Sequence, residues 1–264
     1  MKFKPKKSLG QNFLIDLNII NIITEKKTLD KDSRILEIGP GTGNLTNFLL
    51  KKKPRSMKVI EKDENLSNKL KKKFKNSVEI INEDFLNMKF EKSDLKGVKI
   101  YGNLPYNVSS QILIKLIKLY SEGYKFKYLI LMFQKEVADR ILSKEGSKKY
   151  SRISVISQWL MNVERICDVK SKSFFPSPKV ESTLVHFDAL NEPKFPAELN
   201  KLEFVVSKAF NQRRKMLRGA LKGHFKNVEE GLFAIGVSPT KRAENVTIKE
   251  FCAMAQILQR TKKL

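Results

Sequence analysis

The sequence has little of what metals, disulfides and membrane spans require. Among its 264 residues are two cysteines, Cys167 and Cys252, and two histidines, His186 and His224. No CxxC pair occurs, and a structural zinc needs about four ligands at short spacings, so no metal is expected. Two lone thiols suit a reducing cytoplasm rather than a disulfide framework. No apolar run approaches the ~20 residues needed to cross a bilayer, so no membrane span is expected. The opening MKFKPKKSLGQNFL is basic but lacks the apolar core of a secretory signal. A cytoplasmic protein is expected.

Acidic residues are few beside basic ones. Asp and Glu number 28 against 52 Lys and Arg, a formal net charge of +24. Such an excess points to a polyanionic partner, either nucleic acid or an anionic membrane surface. A hydrophobic fraction of 41% with 17 Phe excludes a disordered basic tail, which could not build a core. Lysine supplies most of the basic residues, so part of the excess is a compositional habit rather than a footprint.

The chain is long enough for one large domain or two ordinary ones of ~150 residues each. Strand-length apolar runs at Arg34–Gly39, Met57–Lys62, Val78–Asp84, Val98–Asn103 and Tyr128–Gln134 alternate with helical stretches such as Leu45–Lys53 and Leu66–Lys75. Continuous Ile/Leu/Val character, rather than strict alternation, is expected of parallel strands buried on both faces. The rhythm is that of a doubly wound α/β sheet. Two later β-like pieces, Arg165–Lys170 and Thr183–Phe187, bracket the Pro-rich loop Phe174–Pro178 and are expected to close the sheet as an antiparallel pair. After NEPKFPAEL, a linker from Asn191, the pattern turns helical: Leu199–Phe210, Lys215–Lys222, Val228–Ile235 and a last helix from Thr247. Thr247 and Glu250 are spaced as a capping box. The expected architecture is an α/β, Rossmann-like domain over residues 1–190 and a small all-helical C-terminal domain over 191–264.

The first sharp motif is Glu37-Ile-Gly39-Pro-Gly41-Thr-Gly43, placed after a strand and before a helix. Glycines let backbone approach a ligand where a Cβ would clash. The spacing is GxGxG and no GK[ST] follows, which disfavours a dinucleotide loop or a phosphate-cradling one. Glu37 would repel a pyrophosphate but suits a cationic ammonium or sulfonium. Glu61 ends the next strand, where a carboxylate accepts both hydroxyls of a ribose. Asp84 ends the one after, placed to accept from an adenine amino group, with Phe85 packing on the base. Each carboxylate alone reads as a solvated strand-end charge. Three at successive strand ends beside one glycine loop read as a site for an uncharged-phosphate nucleoside such as S-adenosyl-L-methionine.

The next strand ends in Asn103-Leu104-Pro105-Tyr106. An exocyclic amine of a nucleobase is a poor nucleophile because its lone pair is delocalised into the ring. A catalyst must hold both N–H groups and favour a pyramidal nitrogen. The Asn103 side-chain oxygen and the Leu104 carbonyl can do so if Pro105 fixes the turn, with Tyr106 stacked on the base. No tuned general base is obligatory, since the proton leaves after the nitrogen becomes cationic.

With these motifs in order the chain resembles the ribosomal RNA small subunit adenine N6,N6-dimethyltransferases, the KsgA/RsmA family. The markers are Gly10–Leu14 (GQNFL), Leu36–Gly43, Val59–Asp63, Glu83–Leu86, Asn103–Ser109, Phe174–Ser182 and Phe210–Leu217 (FNQRRKML). The resemblance covers nearly the whole chain. It implies an S-adenosylmethionine-dependent methyltransferase sheet in which Asn12, Leu14, Gly39, Glu61, Asp84 and Asn103 line the cofactor pocket. Tyr106 and Phe174 are implied to sandwich the flipped adenine, although Phe175 departs from the small or polar residue of many members. The implied reaction places four methyl groups on two neighbouring adenosines in the 3'-terminal hairpin loop of 16S rRNA, late in small ribosomal subunit biogenesis. The implied enzyme is a monomer acting on a small-subunit precursor.

Residues 194–264 hold +9 of the +24 charge, so the helical domain is expected to grip the RNA. Arg214, Arg218 and Lys222 recur every four residues, which on a helix makes one face; a solvated face is the bland alternative. Lys2, Lys4, Lys6 and Lys7 read as an arm that orders over cofactor and RNA. Two rivals remain. Large-subunit rRNA methylases of the macrolide-resistance group usually read NIPYN and lack FNQRRKxLR. A non-enzymatic RNA-binding or transcription factor on the same scaffold is disfavoured by the intact motifs.

Overall fold

Continuous apolar runs become strands wherever both of their faces can be covered. The computed structural model describes Pro5 and residues 10–225 and 227–261; Lys2, Lys4, Lys6 and Lys7 lie outside the described residues. Chain order begins with β1 (Phe13–Leu14), α1 (Leu17–Glu25), β2 (Arg34–Ile38), α2 (Asn44–Lys51), β3 (Ser56–Glu61), α3 (Glu64–Phe74) and β4 (Glu79–Asn82). It continues through α4 (Lys92–Leu95), β5 (Lys99–Asn103), α5 (Ser109–Ser121), β6 (Tyr128–Gln134), α6 (Lys135–Leu142) and α7 (Arg152–Leu160). Then come β7 (Met161–Val169), β8 (Phe174–Phe175) and β9 (Ser182–Ala189).

Seven strands form one sheet in the order β4-β3-β2-β5-β6-β9-β7. Strands β4 to β6 run parallel, and β9 is antiparallel to β6 over its length. In β6 all residues from Tyr128 to Phe133 are buried, which is why that run shows no polar alternation. The two late strands do close the sheet, with β9 inserted between β6 and β7. A second, two-stranded sheet pairs β1 with β8 antiparallel.

The strand order reverses beside β2. The chain steps outward from β2 to β3 to β4, then returns to the other side of β2 as β5. Loops leaving the C-terminal ends of β2 and β5 therefore diverge, and open α/β sheets bind ligands in the crevice this leaves. Helix α3 is set by Asp63, whose Oδ1 accepts from Asn65 N and Leu66 N, and ends in Lys71–Lys73, which suits the negative end of the helix dipole.

By contacts the chain forms two compact units. One comprises residues through Ala138 with Glu164–Ala189; the other comprises Asp139–Val163 with the chain from Leu190 onward. The second unit takes up the chain again at Leu190, one residue before the expected 190/191 boundary, and residues 139–163 fold with the C-terminal helices. The cause is aromatic packing and hydrogen bonding within that unit. Tyr150 meets Phe210 edge-on at 5.9 Å, and Trp159 Nε1 donates to Phe195 O at 2.8 Å. The C-terminal helices are α8 (Leu199–Asn211), α9 (Leu217–Ala220), α10 (Val228–Ala234) and α11 (Ile248–Thr261). Before α11 the expected capping box is present: Thr247 N–H donates to Glu250 Oε2 at 2.8 Å, and Glu250 N–H to Thr247 Oγ1 at 3.2 Å.

One expected helix fails. Instead of Lys215–Lys222, only the four residues of α9 are helical. The N–H groups of Leu217 and Arg218 donate to Lys241 O and Pro239 O, so they are unavailable to carbonyls one turn back. Gly223 beyond it has φ +79°. Arg214 thus sits in a turn before α9, Arg218 in α9 and Lys222 in the turn after, all exposed. They do not form one helix face.

Candidate active site at the sheet switch point

A cleft at the C-terminal ends of β2 to β5 gathers the motifs. Gly39, Gly41 and Gly43 all have left-handed backbones, with φ of +69°, +58° and +75°. At Gly41 the need is double: a Cβ there would come within 2.6 Å of the Phe13 ring, and only glycine adopts this φ without strain. The Gly41 N–H donates to Glu61 Oε2 at 3.0 Å. From the end of α3, Lys73 Nζ donates to Thr42 O at 3.1 Å and ties down the outer side of the loop.

The three carboxylates differ in environment. Glu61 is buried and accepts from Gly41 N–H through Oε2 and from Asp63 N–H through Oε1, the latter at 2.9 Å. Burial raises its pKa, and those two donors act against the rise. A carboxylate offers about four acceptor sites, so these backbone donors leave acceptor capacity open toward the cleft. Asp84 accepts from Leu86 N–H at 2.9 Å and from Lys62 Nζ at 2.8 Å. Partial burial opposes ionisation there, but those donors hold its carboxyl below the usual range. Beyond it, Lys115 Nζ donates to Phe85 O, Leu86 O and Met88 O at 2.7, 2.9 and 2.6 Å, fixing the loop that carries Asp84. Phe85 itself is buried against Phe90, with centroids 5.6 Å apart, and is not a cleft wall as expected.

Glu37 corrects a simpler expectation. It is 1% exposed, and Thr46 Oγ1 donates to its Oε2 at 2.7 Å. Burial pushes its pKa up to about 8, with the neighbouring Glu61 adding to the rise. Burial thus favours the neutral carboxyl near pH 7 and weakens Glu37 as a standing charge for a cation.

On the other side, the Asn103 amide is pinned. Its Nδ2 donates to Asn12 O at 2.8 Å. Because a carbonyl only accepts, this contact fixes which end of the amide is which and leaves Oδ1 as a free acceptor. Leu104 is buried, and Val108 N–H closes the following turn on Pro105 O at 3.1 Å. Tyr106 hydroxyl and Ser182 Oγ share a 2.6 Å hydrogen bond, which anchors the ring at the start of β9; burial raises its pKa.

An N-terminal strap, Gly10–Asp16, crosses both halves. Gln11 Nε2 donates to Asp63 Oδ2 at 3.0 Å, and Asn44 Nδ2 to Leu14 O at 2.8 Å. Asn12, Leu14, Gly39, Glu61, Asp84 and Asn103 all line the cleft, as do Leu104, Pro105 and Tyr106. Phe174 does not. It is 2% exposed and packs in the apolar core with Leu14, its partner across the β1–β8 pair. Arg214, Arg218 and Lys222 belong to the second unit. Gln11, Asn44, Lys73 and Lys115 were not foreseen, because each acts on a backbone or side chain far along the chain. Only the polar string around Asn12 hinted at them.

The cleft encloses about 970 Å³ of space, including the solvent at its mouth. Its one lining cation among the described residues, Lys62, is paired with Asp84. Acceptors without free cations fit a nucleoside that bears no phosphate.

The family described as ribosomal RNA adenine dimethylase matches residues 2–260. The chain is 42% identical over 262 residues to ribosomal RNA small subunit methyltransferase A of Ruegeria pomeroyi, across 98% of this chain and 94% of that one. It is 41% identical over 252 residues to the protein of that name from Pelagibacter ubique, across 93% and 94%. A dimethyladenosine transferase from Plasmodium falciparum is similar in structure, with a TM-score of 0.78 at 25% identity over 95% of this chain and 98% of that one. The 23S rRNA methyltransferase ErmE gives a TM-score of 0.68 at 25% identity over 94% and 100%.

Glu37 makes stability depend on pH. Its folded pKa lies above its unfolded one, so its contribution is complete below about 4.5 and is lost as pH rises through about 8. Relative to the wild type, Glu37→Gln gains stability between pH 5 and 8, by at most about 1.4 kcal/mol per pH unit, and levels off above. Urea unfolding of both proteins across this range checks it; a constant difference would contradict the assigned burial.

Proposed function

The chain belongs to the ribosomal RNA adenine dimethylase family, and from that premise we propose that it dimethylates N6 of two adjacent adenosines in the 3'-terminal hairpin loop of 16S rRNA, late in small-subunit assembly. It is an rRNA adenine dimethyltransferase whose methyl donor is S-adenosylmethionine. The reading includes a monomeric enzyme acting in the cytoplasm on a small-subunit precursor. Among the described residues no helix is long and apolar enough to cross a membrane.

One observation carries the reading: the Asn103 amide, oriented by Asn12 O, faces the same cleft as the carboxylates at the ends of β3 and β4. Glu61 would hold the ribose of the donor, Asp84 its adenine amino group, and Gly39 with Asn12 and Leu14 its remaining length. When bound, the donor supplies an electrophilic methyl group. Everything else falls to this chain. The target adenosine must leave its stack, at a cost of a few kcal/mol. Tyr106 offsets part of that by stacking, worth roughly 1–3 kcal/mol per base. Asn103 Oδ1 and the Leu104 carbonyl accept the two N6–H groups and draw the nitrogen lone pair out of conjugation. Proton loss follows methylation and needs no dedicated base. A monomethylated base keeps one N–H, so the same acceptors serve a second transfer. The exposed Arg214, Arg218 and Lys222 grip RNA phosphates, as separate points rather than as a stripe.

The direct test is incubation of unmethylated small subunits with labelled S-adenosylmethionine, followed by mapping of the modified bases, with large subunits in parallel. Two dimethyladenosines in the small-subunit hairpin are expected; label confined to large-subunit rRNA overturns the reading. Asn103→Ala is expected to abolish transfer while weakening cofactor binding by no more than about tenfold, the loss of one hydrogen bond to the strap. Retained transfer would remove Asn103 from catalysis. Replacing Arg214, Arg218 and Lys222 together by Ala should reduce the slope of log K against log salt by about 0.7–0.9 for each phosphate no longer neutralised. An unchanged slope places the grip elsewhere.

A further inference from the structure

We propose that the outer face of the β1–β8 pair binds the unpaired nucleotides that flank the target adenosine, with Phe175 as their stacking platform. This rests on the function proposed above, and goes beyond the adenine pocket to a second site on the RNA.

The register sets the geometry. Leu14 pairs with Phe174 and Phe13 with Phe175. Neighbouring residues of a strand point to opposite faces, and directly paired residues share one. Leu14 and Phe174 take the core face. Phe13 and Phe175 take the other, where Phe13 lies against Gly41 as a wall of the cleft. Phe175 is therefore adjacent to the cleft but not part of it, and the residue is 59% exposed. Ile15, two residues after Phe13, continues the same face and is 48% exposed.

This apolar face is held in place. Ile15 N–H donates to Ser173 O at 2.9 Å, and Ser173 Oγ to Asp16 Oδ2 at 2.7 Å. Beyond the intervening loop, Ser182 holds the Tyr106 hydroxyl at 2.6 Å. The segment that displays Phe175 is thus tied at one end to the strap and at the other to the residue that stacks on the target.

Charge selects the occupant. Lys170, Lys172 and Lys179 are exposed within five residues of Phe175 in the chain, and Lys172 also acts on the Asp16 carboxylate of the strap. Glu181, the segment's one acidic residue, is taken by Lys135 at 2.7 Å. An exposed ring in a segment of exposed lysines matches single-stranded RNA, whose bases stack on aromatics while its phosphates meet lysines. It does not match an acidic peptide, which would leave the ring unused.

The experiment compares Phe175→Ala, Phe175→Trp and the double variant Lys172→Ala/Lys179→Ala with the wild type. Kinetics on small subunits, cofactor affinity, the unfolding midpoint and binding of an unstructured ten-nucleotide RNA are all measured. Phe175→Ala should raise KM for subunits and weaken oligonucleotide binding by roughly 5- to 150-fold, with kcat, cofactor affinity and midpoint unchanged. Phe175→Trp should restore both. The double lysine variant should bind the oligonucleotide with a smaller salt slope. A fall in kcat with KM unchanged would place Phe175 on the target base and overturn the proposal. So would a higher subunit KM with normal oligonucleotide binding, which would make the occupant a protein. If the wild type fails to methylate small subunits but Phe175→Ala still loses oligonucleotide binding, the surface stands and the functional reading falls. If the wild type methylates and Phe175→Ala matches it in KM and RNA binding, the surface falls alone.

Discussion

The parallel pairing of β2 with β5 sets where the chemistry happens. Ile38 lies opposite Gly102 in that register, so the glycine loop and the Asn103–Tyr106 turn leave the sheet from neighbouring positions. The approach is close: a Cβ on Gly102 would fall 2.7 Å from the Leu104 side chain and 3.1 Å from Ile38 O. The two motifs are thereby brought to one cleft by backbone topology, and no side chain has to span a long gap. Moving outward from the same pair, β3 and β4 deliver Glu61 and Asp84 to one rim. The strap then needs only short hydrogen bonds to Asp63, Asn44 and Asn103 to roof both halves.

Three carboxylates share this cleft, and burial grades them. Asp84, nearest solvent, is ionised and matched by Lys62. Glu61, buried, is kept useful by two backbone N–H donors. Glu37, deepest, is held toward its neutral form near pH 7. A neutral Glu37 removes a like charge from beside Glu61 and so favours the ionised state there, which is the better acceptor for sugar hydroxyls. A chain with a net charge of +24 thus keeps its catalytic cleft nearly free of unpaired cations, and its positive surface lies elsewhere.

Much of this was legible in the sequence, and the failures share a physical cause. Strands β2 to β6 could be read because burial on both faces demands unbroken Ile, Leu and Val. The carboxylates could be read because strand ends in such sheets point at ligands. The β1–β8 pair could not, since each strand has two residues and Phe13 meets Phe175 from the far end of the domain. The same pairing decides that Phe174 is core and Phe175 is surface, which two adjacent phenylalanines do not reveal. The helix expected over Lys215–Lys222 was lost to carbonyls of Pro239 and Lys241, acceptors that a local pattern does not contain. Glu37 was visible as an acid, but its proton depends on Thr46 and on depth.

Lys115 gives the lysine-rich composition a different meaning. Three carbonyls, of Phe85, Leu86 and Met88, converge on one ammonium and use all three of its donors. A planar guanidinium spreads its N–H groups over a fork, as Arg34 does in holding the carbonyls of Ser93, Asp94 and Lys96, whereas the three carbonyls at Lys115 meet at one nitrogen. Across most of this surface lysine and arginine are interchangeable carriers of charge, free to follow whatever bias the genome imposes. At position 115 they are not. An arginine there would have to spread those carbonyls over its fork, and so would shift the loop that carries Asp84.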